Sequence, residues 1–160
     1  MVLYFAYGSN MSAAQMQRRC PGAGLRGTGT LRRFRLSFNR KGSYRPGAVA
    51  SIEPSPNPAS RVLGLVWEMS DQELHAMDAI EDPDAYVRIA VPVHTAEHGT
   101  EYCWAYISYP DDRQSTPDHD YVNVLIEGAV EAQLPGDYID ELREWLTAAE
   151  DSELAATSGK

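Results

Sequence analysis

The chain has 160 residues, 43% of them apolar, which sizes it for one domain with a real core and excludes general disorder. No apolar run reaches the roughly 18 residues of a membrane span, and the N-terminus lacks a basic region followed by a cleavable apolar stretch. A soluble, cytoplasmic protein with no membrane partner is expected, with Cys20 and Cys103 as free thiols.

The net charge of −9 is unevenly laid out. No Asp or Glu precedes Glu53, and nine of the fourteen Lys and Arg lie between Arg18 and Arg45, so the first 52 residues carry +9. The remaining 108, with five basic and 23 acidic residues, carry −18. That acidic remainder would repel phosphates, which argues against nucleic acid as a partner. In Leu31-Arg-Arg-Phe-Arg-Leu-Ser-Phe38 the basic residues mix with apolar ones at strand spacing, unlike a solvated arm. Charge matching within the molecule and attraction of a small anion are the readings that remain.

In chain order, Val2 to Tyr7 is an unbroken apolar and aromatic run, the pattern of a buried strand. Gly8-Ser9-Asn10 stop it with a tight polar turn. Ser12, with Gln15 three residues on, spells a capping box for a helix that Pro21 and Gly22 end. Strand, polar loop and helix N-terminus in succession gather backbone N–H groups and suit a carboxylate or a developing oxyanion; the plain alternative is an ordinary first β-to-α turn. Gly22-Ala-Gly24-Leu-Arg-Gly27 spells G-x-G-x-x-G, yet it follows a helix and opens none, so it is read as a loop.

Strands are predicted at about 29–38, 49–53 and 62–69, with Pro54-Ser-Pro-Asn-Pro58 as a turn. Ser70-Asp-Gln-Glu73 is a second capping box, opening a helix through about Ile80 that Pro83 stops from running on. Tyr86–Val93 and Thr100–Tyr109 read as strands. Tyr121–Ala132 and a last helix carrying Ile139, Leu142, Trp145 and Leu146 follow. From residue 150 to 160 a frayed, flexible tail is expected. Runs of strands between single helices predict an α+β fold with a mixed, barrel-like sheet, in one domain over residues 1–149.

Three constellations bear chemistry. His94-Thr-Ala-Glu-His98 matches a zinc-protease pattern that needs a helix, but Pro92 and Gly99 frame it between strands, so a hairpin tip is expected and no metal site. Ser9 as a nucleophile lacks both the G-x-S-x-G elbow and a histidine in a partner position. The third is a carboxylate working against the N-terminal loop. Leu74, Met77 and Glu81 fall at i, i+3 and i+7, so extending the helix by one residue puts Glu81 on its apolar side. Desolvation there would raise its pKa and make it a proton shuttle. On spacing alone a solvated helix-end glutamate is the alternative, and Asp78 the rival base.

Several of these pieces together resemble the gamma-glutamylcyclotransferase (AIG2-like) family. Tyr4-Phe-Ala-Tyr-Gly-Ser-Asn-Met11 resembles its signature strand and loop, and Val66-Trp67-Glu68-Met69 the strand before its catalytic helix. Met77-Asp78-Ala-Ile-Glu81 followed by Tyr86-Val-Arg88 is similar to its Leu-Asp-x-x-Glu-Gly…Tyr segment. Tyr121 and Gly128-Ala129…Leu134-Pro135 resemble its C-terminal helix and the turn after it. One departure stands out: Glu81-Asp82-Pro83 replaces the family's Glu-Gly.

The resemblance implies cyclisation of a gamma-glutamyl amide to 5-oxoproline with release of the amine. It implies Glu81 as the catalytic acid and base, and Tyr4, Phe5, Ala6, Tyr7, Gly8, Ser9, Asn10 and Tyr121 as substrate-binding residues. It implies no metal or organic cofactor, and hints at a homodimer. The polar stretch Pro110–His119 is expected near the pocket mouth. The alternative from a different class is a non-catalytic module of the same fold that binds an acidic metabolite or a partner protein.

Overall fold

A computed structural model describes residues 1–111 and 116–159. Five strands close into a barrel in the order β1 (Val2–Ala6), β5 (Arg61–Met69), β2 (Gly24–Arg32), β6 (Tyr86–Thr95), β7 (Gly99–Ser108). Neighbours run antiparallel except at the closure, where β7 meets β1 in parallel through Tyr4 opposite Trp104. Strands β3 (Phe34–Lys41) and β4 (Ala48–Pro54) form a separate two-stranded sheet. Helices α1 (Ala13–Arg19), α2 (Asp71–Ile80), α3 (His119–Glu131) and α4 (Gly136–Ser158) complete the α+β fold, the mixed barrel expected from the sequence. His94 and Thr95 pair with Thr100 and Gly99 at a hairpin end, as the framing residues predict.

Period-two alternation divides the core. Phe5, Leu31, Val62, Val66, Val91, Val93, Cys103 and Ala105 belong to one buried cluster, while Tyr4, Ala6, Leu63, Leu65, Trp67 and Met69 pack in a second with Leu74 and Met77 of α2. Two barrel glycines sit where no side chain fits. A Cβ on Gly64 would collide with the Ala6 carbonyl oxygen and lie 2.9 Å from Phe5 Cε2, and one on Gly29 would lie 2.5 Å from Val93 Cγ1 and 2.9 Å from Val66 Cγ2, with Phe5 Cε2 next to it.

Three sequence expectations are corrected. The single strand over 29–38 is two strands belonging to different sheets. The chain turns between them at Arg33, which has φ 62° and is anchored by its N–H to the Ser60 carbonyl at 2.8 Å. Apolar residues on both sides of Arg33 hide that corner. The loop expected over Gly22–Gly27 is strand from Gly24 onward, bulged between Leu25 and Gly27 where β2 pairs with β5. Helix α4 continues to Ser158, beyond the expected onset of fraying, because Glu, Leu and Ala in its last turns are strong helix formers; every described residue from Glu150 onward is exposed.

Candidate active site

Strand β1 ends in a single 3-10 turn, Ser9–Met11, capped by Gly8, and α1 follows directly. The first N–H groups of such a turn have no acceptor within it. The turn is pinned from below, since the Trp67 indole N–H donates to the Asn10 carbonyl at 3.2 Å. On the other side, α2 opens with the full capping box of Ser70 and Glu73 and ends at Glu81, which caps its C-terminus. Leu74 and Met77 hold the buried face of α2, so Glu81 is turned toward the Gly8–Asn10 turn, as the i, i+3, i+7 spacing predicts. Asp78 goes elsewhere. It accepts from the Tyr106 hydroxyl at 2.7 Å and from Arg88 Nε at 2.8 Å.

Asn10 joins the two sides. It is 3% exposed and uses its whole amide. Its Nδ2 donates to Glu81 Oε1 at 3.1 Å and to the Tyr4 hydroxyl at 2.9 Å. Its Oδ1 accepts from Gln15 Nε2 at 2.8 Å and Arg19 Nη1 at 2.9 Å, and the same Arg19 nitrogen lies 3.4 Å from Glu81 Oε1. The Tyr7 hydroxyl donates to the Tyr106 carbonyl. The Tyr121 hydroxyl accepts from the Ala50 N–H at 3.0 Å, which leaves its own proton to donate.

Two adjoining cavities open on this cluster and share Ser9, Glu81, Tyr86 and Tyr121. The inner one, about 40 Å³, is walled by Gly8, Asn10, Glu81 and five tyrosines, Tyr4, Tyr7, Tyr86, Tyr106 and Tyr121. The outer one, about 140 Å³, has Arg19, Lys41 and Arg45 in its walls, with the Arg45 guanidinium 5.0 Å over the Tyr121 ring. Burial raises the Glu81 carboxyl above its ordinary value near 4.5; Arg19, the Asn10 amide and Arg45 pull the other way without cancelling it. Burial also raises Tyr4, Tyr7 and Tyr86, and pushes Tyr121 up to about 12, so these phenols stay protonated donors.

Of the residues singled out in the sequence, Tyr4, Tyr7, Gly8, Ser9, Asn10, Glu81 and Tyr121 converge on the inner cavity. Phe5 and Ala6 do not line either cavity and are fully enclosed, Phe5 against the two glycines of the barrel. Of the stretch 110–119, residues 112–115 lie outside the described residues. Its neighbours Thr116 and Pro117 pair with Ala48 and Gly47, behind the β3–β4 loop that reaches the outer cavity. Sequence reasoning missed Gln15, Arg19, Tyr86 and the Lys41–Arg45 loop. For the cations the signal was the unbalanced positive charge before Glu53, for Tyr86 its place in the family-like segment after Glu81, and Gln15 read only as a cap. Part of that charge is matched internally, Arg26 to Glu68 and Glu101 and Arg35 to Glu53.

A sequence profile described as the AIG2-like family matches residues 61–142. Gamma-glutamylcyclotransferase of Homo sapiens is 33% identical over 147 residues, spanning 88% of this chain and 77% of that protein, and that of Mus musculus is 32% identical over the same shares. A solved gamma-glutamyl cyclotransferase structure superimposes with a TM-score of 0.81 at 30% identity, covering 89% of this chain and 86% of its own. With the barrel, the helix-end glutamate and the N-terminal turn arranged as described, the chain belongs to the AIG2-like, gamma-glutamylcyclotransferase family.

Proposed function

We propose that this enzyme cyclises a gamma-glutamyl amide, releasing 5-oxoproline and the amine or amino acid that was acylated. The alpha-amine of the glutamyl group attacks its own gamma-carbonyl carbon, forming the ring C–N bond, and Glu81 takes the proton that the amine must lose. The carbonyl electrons move onto oxygen, where the N–H groups of the Gly8–Asn10 turn and the Tyr121 hydroxyl are the nearby donors. The intermediate collapses by breaking the original amide bond, and Glu81 returns its proton to the leaving nitrogen. Nucleophile and electrophile share one molecule, so holding the folded conformer supplies much of the acceleration, on the order of 7–11 kcal/mol for well-oriented groups. Arg19, Lys41 and Arg45 offer positive charge to a substrate carboxylate in the outer cavity.

The observation that carries this reading is a carboxylate largely withdrawn from solvent, its pKa raised by that desolvation, held at 3.1 Å by Asn10 and facing a turn of main-chain donors across a small cavity. Its test is 5-oxoproline release from a panel of gamma-glutamyl peptides and amines. Glu81→Gln is expected to abolish turnover with the fold intact, and wild-type rates in that variant would remove Glu81 from the mechanism. Calorimetric binding of gamma-glutamyl compounds with no product after long incubation would replace the enzyme by a binding module.

A further inference from the structure

Helix α1 was expected to open with a reciprocal capping box, and it does so only by half. The Ser12 hydroxyl accepts from the Gln15 N–H at 3.3 Å, but the Gln15 side chain does not turn back to Ser12. Its Nε2 reaches the Ser9 hydroxyl at 2.9 Å and Asn10 Oδ1 at 2.8 Å. One helical turn later on the same face, Arg19 Nη1 also reaches Asn10 Oδ1, at 2.9 Å. A local rule broken in this way, with the side chain spent on the site, marks function rather than helix stability.

The consequence is an orientation. An amide has two ends that differ in chemistry, and Gln15 Nε2 and Arg19 have only protons to offer. Both sit on the oxygen end of Asn10, so its NH2 end must face Glu81 and Tyr4. Were Asn10 reversed, its oxygen would oppose the Glu81 carboxylate and its NH2 would meet two donors. Arg19, a quarter exposed, also places its charge beside Glu81 directly.

We infer that Gln15 and Arg19 are positioning residues: α1 sets the orientation of the Asn10 amide and, through Arg19, the proton affinity of Glu81. This rests on the cyclotransferase reading for its kinetic consequence only. The groups facing Glu81 are Arg19 from α1, Arg45 from the β3–β4 loop, the Asn10 amide, and the phenols of Tyr4, Tyr7, Tyr86 and Tyr121. Asp82, its neighbour in the chain, is turned to the Ser43 hydroxyl.

The test follows Glu81 itself. In protein labelled with carbon-13 at glutamate carboxyls, the Glu81 resonance is identified by its loss in Glu81→Gln and titrated in wild type, Arg19→Leu, Arg19→Lys and Gln15→Leu. Arg19→Leu is expected to move the midpoint upward by about one pH unit or more, the effect of removing an adjacent opposite charge. Arg19→Lys should return most of that shift. Gln15→Leu removes no charge, so it should leave the midpoint near wild type while lowering kcat about tenfold with little change in KM. An unmoved midpoint in Arg19→Leu, or full kcat in Gln15→Leu, overturns the inference. If Arg19→Leu does not fold, Arg19→Gln, which keeps a donor but removes the charge, takes its place: an upward midpoint supports the inference and an unmoved one overturns it. Because the titration needs no substrate, it stands even where the wild type releases no 5-oxoproline, which separates failure of this inference from failure of the proposed reaction.

Discussion

Glu81 carries opposing demands: its side chain is only 19% exposed, yet the proposed reaction requires it to ionise. With its pKa above the ordinary glutamate value, the acid limb of kcat/KM is expected at higher pH than a solvated glutamate would give. The stability consequence has a definite sign. The native state binds the Glu81 proton more tightly than the unfolded chain, so that contribution is complete below the ordinary value and lost as pH rises through the native one. Glu81→Gln should therefore melt at or above wild type at pH 8, by about 0.5–2 kcal/mol, with the difference vanishing toward pH 4. Parallel thermal melts at the two pH values check this. Tyr121→Phe acts in the opposite direction. It strips the acceptor from the Ala50 N–H, a cost of about 1–3 kcal/mol readable by urea unfolding, and under the proposed mechanism it is expected to slow turnover by removing a donor.

At the level of elements, the departure from the family's Glu-Gly acquires a physical reading. Asp82 has φ 42°, a left-handed conformation that glycine takes freely and Asp tolerates better than most residues. The turn after α2 is thus kept while a carboxylate is added, and that carboxylate accepts from the Ser43 hydroxyl at 2.7 Å, tying the loop that carries Lys41 and Arg45 to the site. Asp82→Gly should unfold within about 1 kcal/mol of wild type, relieved backbone offsetting glycine entropy, while KM rises as the loop is released. Gly64→Ala should fail differently, losing about 3 kcal/mol or more because its Cβ collides with β1 backbone.

These cases show what the sequence could reveal. Capping residues and helix periodicity disclosed α2 and the side Glu81 faces, because both are local. The turn at Arg33 was illegible because its hydrogen-bond partner, Ser60, lies across the fold. Phe5 and Ala6 sit in the same motif as Tyr4 and Tyr7 but are enclosed in the barrel wall, and only the barrel's closure decides which of them meet a cavity. Gln15 and Arg19 carried the signature of a cap and a helix-end cation. That both turn to the Asn10 oxygen is set by how the Ser9–Met11 turn folds onto α1, which neither signature spells out.

Across the whole molecule, the +9 of the first 52 residues is partly spent on ion pairs with the acidic remainder, and what stays at the outer cavity is Arg19, Lys41 and Arg45. Exposed charges are screened as the Debye length falls from about 30 Å at 0.01 M salt to about 3 Å at 1 M. KM for an anionic gamma-glutamyl substrate should therefore rise with ionic strength while kcat holds, a split that initial-rate measurements at several salt concentrations will show. The barrel's seam bears on how the protein is born. Strand β1 is synthesised well before its partners, which are β5, at 61–69, and the single position Trp104 on β7. A nascent chain therefore emerges with its signature loop formed of the right residues but clasped by nothing. The wall of the inner cavity is complete only once Tyr121 has been made, so under the proposed mechanism a stalled or truncated product lacking α3 is expected to release no 5-oxoproline, however well its first half had folded.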